Sequence, residues 1–458
     1  MRGRMGEYVL ELSKYFICGL MVLYTLSCFY AFRYGAHGGR RPVYVVQIVL
    51  MFLLQTICFV DLILGSKGAP TDESASVSQD MQYLFFFLFV EFFLLAVVFL
   101  VPAIYEQCNR LLLNNMCMLL GIGLMMISRL SFSSAIKQYI IVLISLIISL
   151  LIPFLFSKVR FLKKMTWLYA AVGIALLSAV LLLGDETRGS NISVQIADIT
   201  LQPSEFVKIL FLFFLAGALW EETSFLRVAI TAVLAGIHVI VLVLSTDLGS
   251  ALIFFIAYVL VVFVATRNYL YLLAGVVGGS GAAIAAYRLF SHVRIRVLAW
   301  QDPWSYIDNQ GFQITQSLFA VGSGSWFGMG ILKGNPTAIP IVSADFIFSS
   351  ICEELGVITG ICVLIVCVCC FISIMQTALC IYDRFYQLIV YGIGIMYIFQ
   401  IFLAVGGGIK FIPHTGVTLP FISYGGSSVM ATMFMFFVIQ GIFIRLQQQE
   451  GEKHVEKS

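Results

Sequence analysis

Long apolar runs separated by short polar or glycine-rich breaks set the pattern of this chain. A stretch of ~20 apolar residues is enough to cross a bilayer as a helix. By that rule, spans fall at Tyr15–Phe32, Val43–Leu64, Met81–Ile104, Leu111–Ile127, Tyr139–Phe156, Trp167–Leu183 and Phe206–Leu219. They continue at Ala229–Leu244, Ala251–Val264, Tyr269–Tyr287, Phe346–Met375, Leu388–Ala404 and Met430–Ile444. That makes about thirteen, the shorter ones completed by flanking polar turns. The pattern predicts an all-α polytopic membrane protein.

The breaks are uneven. Basic residues gather at Arg33, Arg40 and Arg41, at Lys158, Arg160, Lys163 and Lys164, and at Arg445, Lys453 and Lys457. If every run spans, all three clusters fall on one side, which the positive-inside rule makes the cytoplasm. The N-terminus is then expected outside. Four polar stretches fall on the outer side: Gly184 to Ser204, Thr246–Gly249, Ser291 to Asp345 and Gly406 to Ser428. An irregular loop as long as the third is usually functional. Its Trp300, Trp304 and Trp326 suit a membrane interface. The first three spans, joined by a basic turn and by the acidic, serine-rich Ser66–Gln79, read as an added module over residues 1–108. A core over 109–448 and a tail over 449–458 follow.

Composition removes the soluble alternatives. Hydrophobic residues make up 60% of the chain and charged ones 11%, about half the charged fraction usual for a soluble domain. Mean hydropathy is +0.99. A net charge of +3 is too small to indicate a nucleic-acid partner. The eleven cysteines sit almost entirely in apolar runs without zinc spacing, which predicts small buried residues rather than disulfides. No phosphate loop, HExxH or GxSxG is present, and the five histidines are scattered.

Several polar groups stand out against this background. Gln202-Pro203-Ser204-Glu205 opens a span, with proline suited to a first helical turn and Glu205 to its positive dipole end. Glu205 and Lys208 share a face, either as a self-neutralising pair or as the charged lining of a pocket. Asp345 enters the span Phe346–Met375 as a helix cap or as a general base. On a continuous helix Glu353 would lie about 80° round from Asp345 and about 12 Å lower, facing the same cavity or pairing with a neighbouring span. Arg294 and Arg296 alternate at a membrane exit, as interface anchors or as cations for a lipid-linked diphosphate. The run Thr418 to Ser428 gathers a proline, two glycines and several hydroxyls between apolar spans. Such a break survives at membrane depth only when it lines a cavity or is buried in protein. Asp61 and Glu91 lie inside apolar runs and each calls for a partner.

These motifs resemble the SEDS family of bacterial membrane proteins, typified by FtsW, RodA and SpoVE. Gln202-Pro203-Ser204-Glu205 with Lys208 is similar to its QPSE-x-x-K. Thr246-Asp247-Leu248-Gly249 is similar to its PDLG, with threonine in place of proline. Gly311-Phe312-Gln313 to Gln316-Ser317, then Asp345-Phe346-Ile347-Phe348 and Glu353-Glu354-Leu355-Gly356, resemble its GYQ…QS, DFIF and EELG series. Gly416 to Ser428 resembles its GxTLPFxSYGGSS. The family often has an acidic residue and a histidine just before DFIF, where this chain has Pro340-Ile341-Val342-Ser343-Ala344.

The resemblance covers roughly Leu111 to Ile444 and implies a ten-helix core behind three extra N-terminal helices. It implies a multi-pass protein of the bacterial cytoplasmic membrane, C-terminus cytoplasmic, that polymerises lipid II into glycan strands at the outer face. Asp345 is the implied base, with Glu205, Lys208, Arg294, Arg296, Asp247, Gln313, Ser423 and Ser427 as implied substrate contacts. A class B penicillin-binding protein is the implied partner, and a divalent cation is a possible cofactor. A lipid II flippase and a non-enzymatic scaffold for a penicillin-binding protein are the alternatives.

Overall fold

The computed structural model describes residues 2–33, 41–66, 73–158, 161–183, 185–187, 190–196 and 199–455. Arg40, Arg160 and Lys457 of the basic clusters, and Gly184, lie outside these residues. Each of the thirteen apolar runs is helical. The chain opens with α1 (Arg2–Arg33), α2 (Arg41–Ser66) and α3 (Glu73–Ile104). Next come α4 (Arg110–Leu130), α5 (Phe132–Ser149) continued by α6 (Leu151–Lys158), and α7 (Thr166–Leu183). The stretch before Pro203 is not a plain loop. It forms three short antiparallel strands, β1 (Asp185–Thr187), β2 (Ser190–Ile196) and β3 (Ile199–Leu201), in that order. The otherwise all-helical fold thus carries one small sheet.

Helices α8 (Pro203–Leu219), α9 (Phe225–Leu244), α10 (Leu248–Thr266) and α11 (Tyr269–Leu289) follow. Side chains start several of these elements: Ser224 Oγ caps α9, and Asp247 Oδ1 caps α10 by accepting from Ser250 N–H at 3.1 Å. The long break then folds as α12 (Ser291–Gln301), α13 (Phe312–Gly324) and the single turn α14 (Val342–Asp345). Helices α15 (Ile347–Leu355), α16 (Val357–Cys380), α17 (Arg384–Gly408) and α18 (Gly426–Val455) complete the chain. Eleven helices among the described residues are long and apolar enough to cross a membrane, and Thr166–Leu182 is a shorter apolar one.

The run Phe346–Met375 is not one helix. It breaks at Gly356, whose φ of +91° suits only glycine. A Cβ there would lie 2.5 Å from the carbonyl carbon of Phe327, so the start of the loop that follows α13 closes directly onto the break. The segment after α13 runs along α15, with Met329 N–H donating to Glu353 C=O and Gly330 N–H to Glu354 C=O, both at 2.9 Å.

Helix α4 forms the centre of the bundle, buried from Leu111 to Ser128, and α17 and α18 are the next most buried of the membrane-crossing helices. In contrast, α11 has no buried residue. Helix α1 packs on α2 and α16, and α2 and α3 pack on α4. At one end of the bundle Glu11 of α1 meets Lys333 of the long break at 3.6 Å, and the Tyr15 and Phe327 rings are 5.1 Å apart. At the other end Lys163 pairs with Asp383 at 2.7 Å, Arg445 donates to Tyr386 Oη at 2.7 Å, and Arg384 donates to Ala265 C=O. The N-terminal end of α1 therefore shares its face with the break that carries Asp345. Ten of the eleven cysteines are buried, and all are unpaired.

Candidate active site

Asp345 is the last residue of α14, a turn entered through Ile341 in the left-handed region at φ +59°. The Thr418–Ser428 run grips this turn from outside. Tyr424 N–H donates to Ser343 C=O at 2.8 Å, and the Ser423 hydroxyl donates to Ala344 C=O. Ser423 Oγ also accepts from Leu419 N–H at 2.9 Å. Gln138 of α5 steadies the run from behind, donating to Ser423 C=O at 3.2 Å and accepting from Gly425 N–H at 3.3 Å. Phe421, just after Pro420, is held at φ +65°. Strained backbone of this kind persists only where surrounding contacts over-determine it.

A second carboxylate stands nearby. Besides capping α10, Asp247 accepts through Oδ2 from Gln202 Nε2 and from Ser204 Oγ, each at 3.1 Å. Gln202 N–H donates in turn to Ser427 Oγ at 2.9 Å, tying the start of α8 to the start of α18. Arg296 of α12 donates to the carbonyls of Thr415, at 3.0 Å, and His414, at 3.4 Å. Burial pushes the Arg296 guanidinium below its usual range, and the charges of Asp247 and Asp345 push it back up. Arginine's intrinsic basicity keeps it cationic. The Arg296 charge thus acts on both carboxylates through space, and this only partly offsets the effect of its burial.

Glu205 and Lys208 form a closed unit. Lys208 is fully buried and donates to Glu205 Oε1 at 2.9 Å and to Gln400 Oε1 at 3.0 Å. Gln400 Nε2 passes the contact on to Thr418 C=O at 3.1 Å and Ser428 Oγ at 3.3 Å. The pair braces α8 against α17 and the Thr418–Ser428 run. Its ammonium is committed to these partners rather than lining open space, which favours the self-neutralising reading.

A family model described as cell cycle protein, FtsW/RodA/SpoVE, matches residues 108–449. The chain belongs to the FtsW/RodA/SpoVE family. It is 31% identical over 73% of its length to the peptidoglycan glycosyltransferase RodA of Mycobacterium tuberculosis, covering 77% of that protein. It is 30% identical over 73% of its length to a probable peptidoglycan glycosyltransferase FtsW of Pseudoalteromonas translucida, covering 88% of it. A solved chain described under structural coordination of polymerization and crosslinking by a peptidoglycan synthase complex matches with a TM-score of 0.64. That chain is 24% identical, and the match covers 74% of this one and 99% of it.

In this FtsW/RodA/SpoVE member the separate motifs are joined by hydrogen bonds into one assembly around Asp345, Asp247 and Arg296. Not every candidate joins it. Arg294 is exposed and donates to Arg288 C=O at 3.1 Å. Gln313 is half-buried on α13. One turn on, Ser317 donates to Gly408 C=O at 2.7 Å and meets Ser349 Oγ at 2.6 Å. Glu353 does not face Asp345. Its Oε1 accepts from Asn335 N–H at 2.8 Å, while Glu354 pairs with Arg129 of α4 at 2.9 Å and accepts from Leu332 N–H at 3.1 Å. The helical extrapolation fails because α14 and α15 are separate elements.

His414 was not among the sequence candidates, yet its Nε2 lies 3.7 Å from Asp345 Oδ2. The only signal in the sequence is its place within Gly406–Ser428. Burial and the Arg296 charge both push His292 below the ordinary histidine range, so that ring is neutral near pH 7. The donor set does not suit a resident divalent cation. Asp247 is committed to Gln202, Ser204 and Ser250, and the Arg296 charge already acts on both carboxylates through space. Among the described residues no group of three or more His, Cys, Asp or Glu could hold a metal.

Proposed function

We propose that this chain is a peptidoglycan glycosyltransferase that polymerises lipid II, with Asp345 as the general base. One observation carries the assignment of the base. Among the described residues, Asp345 is the carboxylate of the assembly that no neighbouring amide or hydroxyl occupies, and its side chain is 19% exposed. Asp247, Glu205, Glu353 and Glu354 are all engaged in structural hydrogen bonds.

The chemistry needs little more. The acceptor sugar's 4-hydroxyl attacks the anomeric carbon of the donor. The bond from that carbon to the diphosphate oxygen breaks, and the electron pair leaves with the lipid diphosphate. Asp345 takes the hydroxyl proton as the new bond forms. A diphosphate leaves without a strong general acid when a cation meets its charge, so one carboxylate suffices where glycoside hydrolysis needs two. Arg296 is the cation assigned this role in the proposal, since its fork matches phosphate oxygens and the Lys208 ammonium is occupied.

The same reading places the long break and the N-terminus at the outer face and the C-terminus in the cytoplasm. It makes residues 1–108 an added module before a core of 109–448 and a tail of 449–458, and a class B penicillin-binding protein the transpeptidase partner. The test is polymerisation of lipid II by the purified chain in detergent, where no second leaflet exists and transport has no meaning. Asp345→Asn is expected to insert and bind lipid II but to lose activity by about 100-fold or more. Wild-type polymerisation by that variant would remove Asp345 as base. No polymer from the wild type, with and without the partner, would favour a flippase or a scaffold.

A further inference from the structure

We infer that His414 is a positioning residue for Asp345, holding the Oδ2 oxygen so that Oδ1 is left to take the proton. The inference rests on Asp345 being the base. The imidazole comes from the irregular stretch after α17, far from Asp345 in sequence, and packing and a backbone hydrogen bond hold it in place. Its ring stacks on Phe346 with centroids 4.5 Å apart and an interplanar angle of 20°. Gly407 of α17 leaves the space it fills, because a Cβ there would lie 3.1 Å from His414 Nδ1. Arg296 of α12 holds the backbone carbonyl of His414 itself.

Among the described residues, the charged groups tied to His414 are Asp345, beside the ring, and Arg296, on its backbone carbonyl. Nδ1 is buried without a hydrogen-bond partner. A proton there would be a buried donor with no acceptor, which costs more than an unfilled lone pair. The neutral ring accordingly carries its proton on Nε2, the nitrogen facing Asp345. At 3.7 Å the contact is longer than a hydrogen bond, and both side chains are partly exposed, 15% for His414 and 19% for Asp345. Contacts of this kind close when substrate arrives. An N–H aimed at one carboxylate oxygen holds it and orients the other.

The test uses the purified full-length chain and lipid II, with initial rates followed across pH. His414→Val and His414→Phe remove the donor, and the second keeps a ring on Phe346 should the first fail to fold. Both are expected to lower kcat about 10- to 100-fold with little change in KM. His414→Gln, whose amide also donates, should recover most of the rate. Full activity in His414→Phe, or equal failure of the Gln and Phe variants, would overturn the inference. Asp345→Asn run alongside separates the two claims. If it polymerises normally the base assignment falls and the inference with it. If it is inactive while the Phe variant keeps wild-type rate and profile, only the inference falls.

Discussion

Thr246 precedes Asp247 with φ at +61°, and its N–H donates to Val243 C=O at 3.0 Å. Proline, the residue usual there in the family this chain resembles, is fixed near −65° and has no N–H. The turn has therefore been built differently here. Thr246→Pro is expected to destabilise the protein by about 1–3 kcal/mol or more. Thr246→Gly should stabilise it by about 1 kcal/mol, because the left-handed backbone penalty disappears and the buried Thr246 hydroxyl has no partner to lose. Thermal unfolding in detergent checks both, and a proline variant as stable as wild type would contradict the turn geometry. At this scale much of the site was legible. Asp345, Asp247 and the Ser423 and Ser427 hydroxyls stand out because polar groups between apolar spans are costly unless used. His414 was not legible, because nothing local to it announces a carboxylate that is distant in sequence and near in space.

At the scale of elements, the run after Asp345 shows where periodicity misleads. The mainly apolar run from Phe346 to Met375 reads as one span, and a glycine such as Gly356 within it is no sufficient signal for a break. The break exists because the loop after α13 folds back onto it, a contact across some thirty residues that hydropathy does not register. Glu353 and Glu354 then serve that loop instead of the site. Glu354 is fully buried and neutralises Arg129 while holding Leu332 N–H. Removing one partner of such a pair leaves a buried charge uncompensated, so Glu354→Ala is expected to cost about 3–5 kcal/mol. The loop leading to Asp345 should loosen with it, so polymerisation falls together with the melting temperature. Replacing both partners, Arg129→Met with Glu354→Leu, should recover stability better than activity. An Ala variant with an unchanged melting temperature would mean that the pair contributes nothing.

Across the whole molecule, the question is what α1–α3 do for the rest. The family match begins at residue 108, after them, yet they cover a polar face of the central helix α4. Asn114 donates to Gln47 Oε1 at 3.1 Å and to Tyr44 C=O at 3.3 Å. Asn115 Oδ1 accepts from Tyr24 Oη at 3.1 Å and from Cys28 Sγ at 3.3 Å. In the sequence these asparagines look like flaws in an apolar run, since their partners lie many residues upstream. Buried amides without hydrogen bonds cost roughly 1–3 kcal/mol each, and lipid offers none. A chain starting at Cys108 is therefore expected to unfold at lower temperature or to self-associate through α4. Adding Asn114→Leu and Asn115→Leu to the shortened chain should recover much of the loss. In the full-length chain Asn115→Leu should instead destabilise, because the buried Tyr24 hydroxyl loses its acceptor. The opposite sign of one substitution in two backgrounds distinguishes a missing polar partner from general loss of packing. A shortened chain as stable and monodisperse as the full one would show that α4 does not depend on the three helices in front.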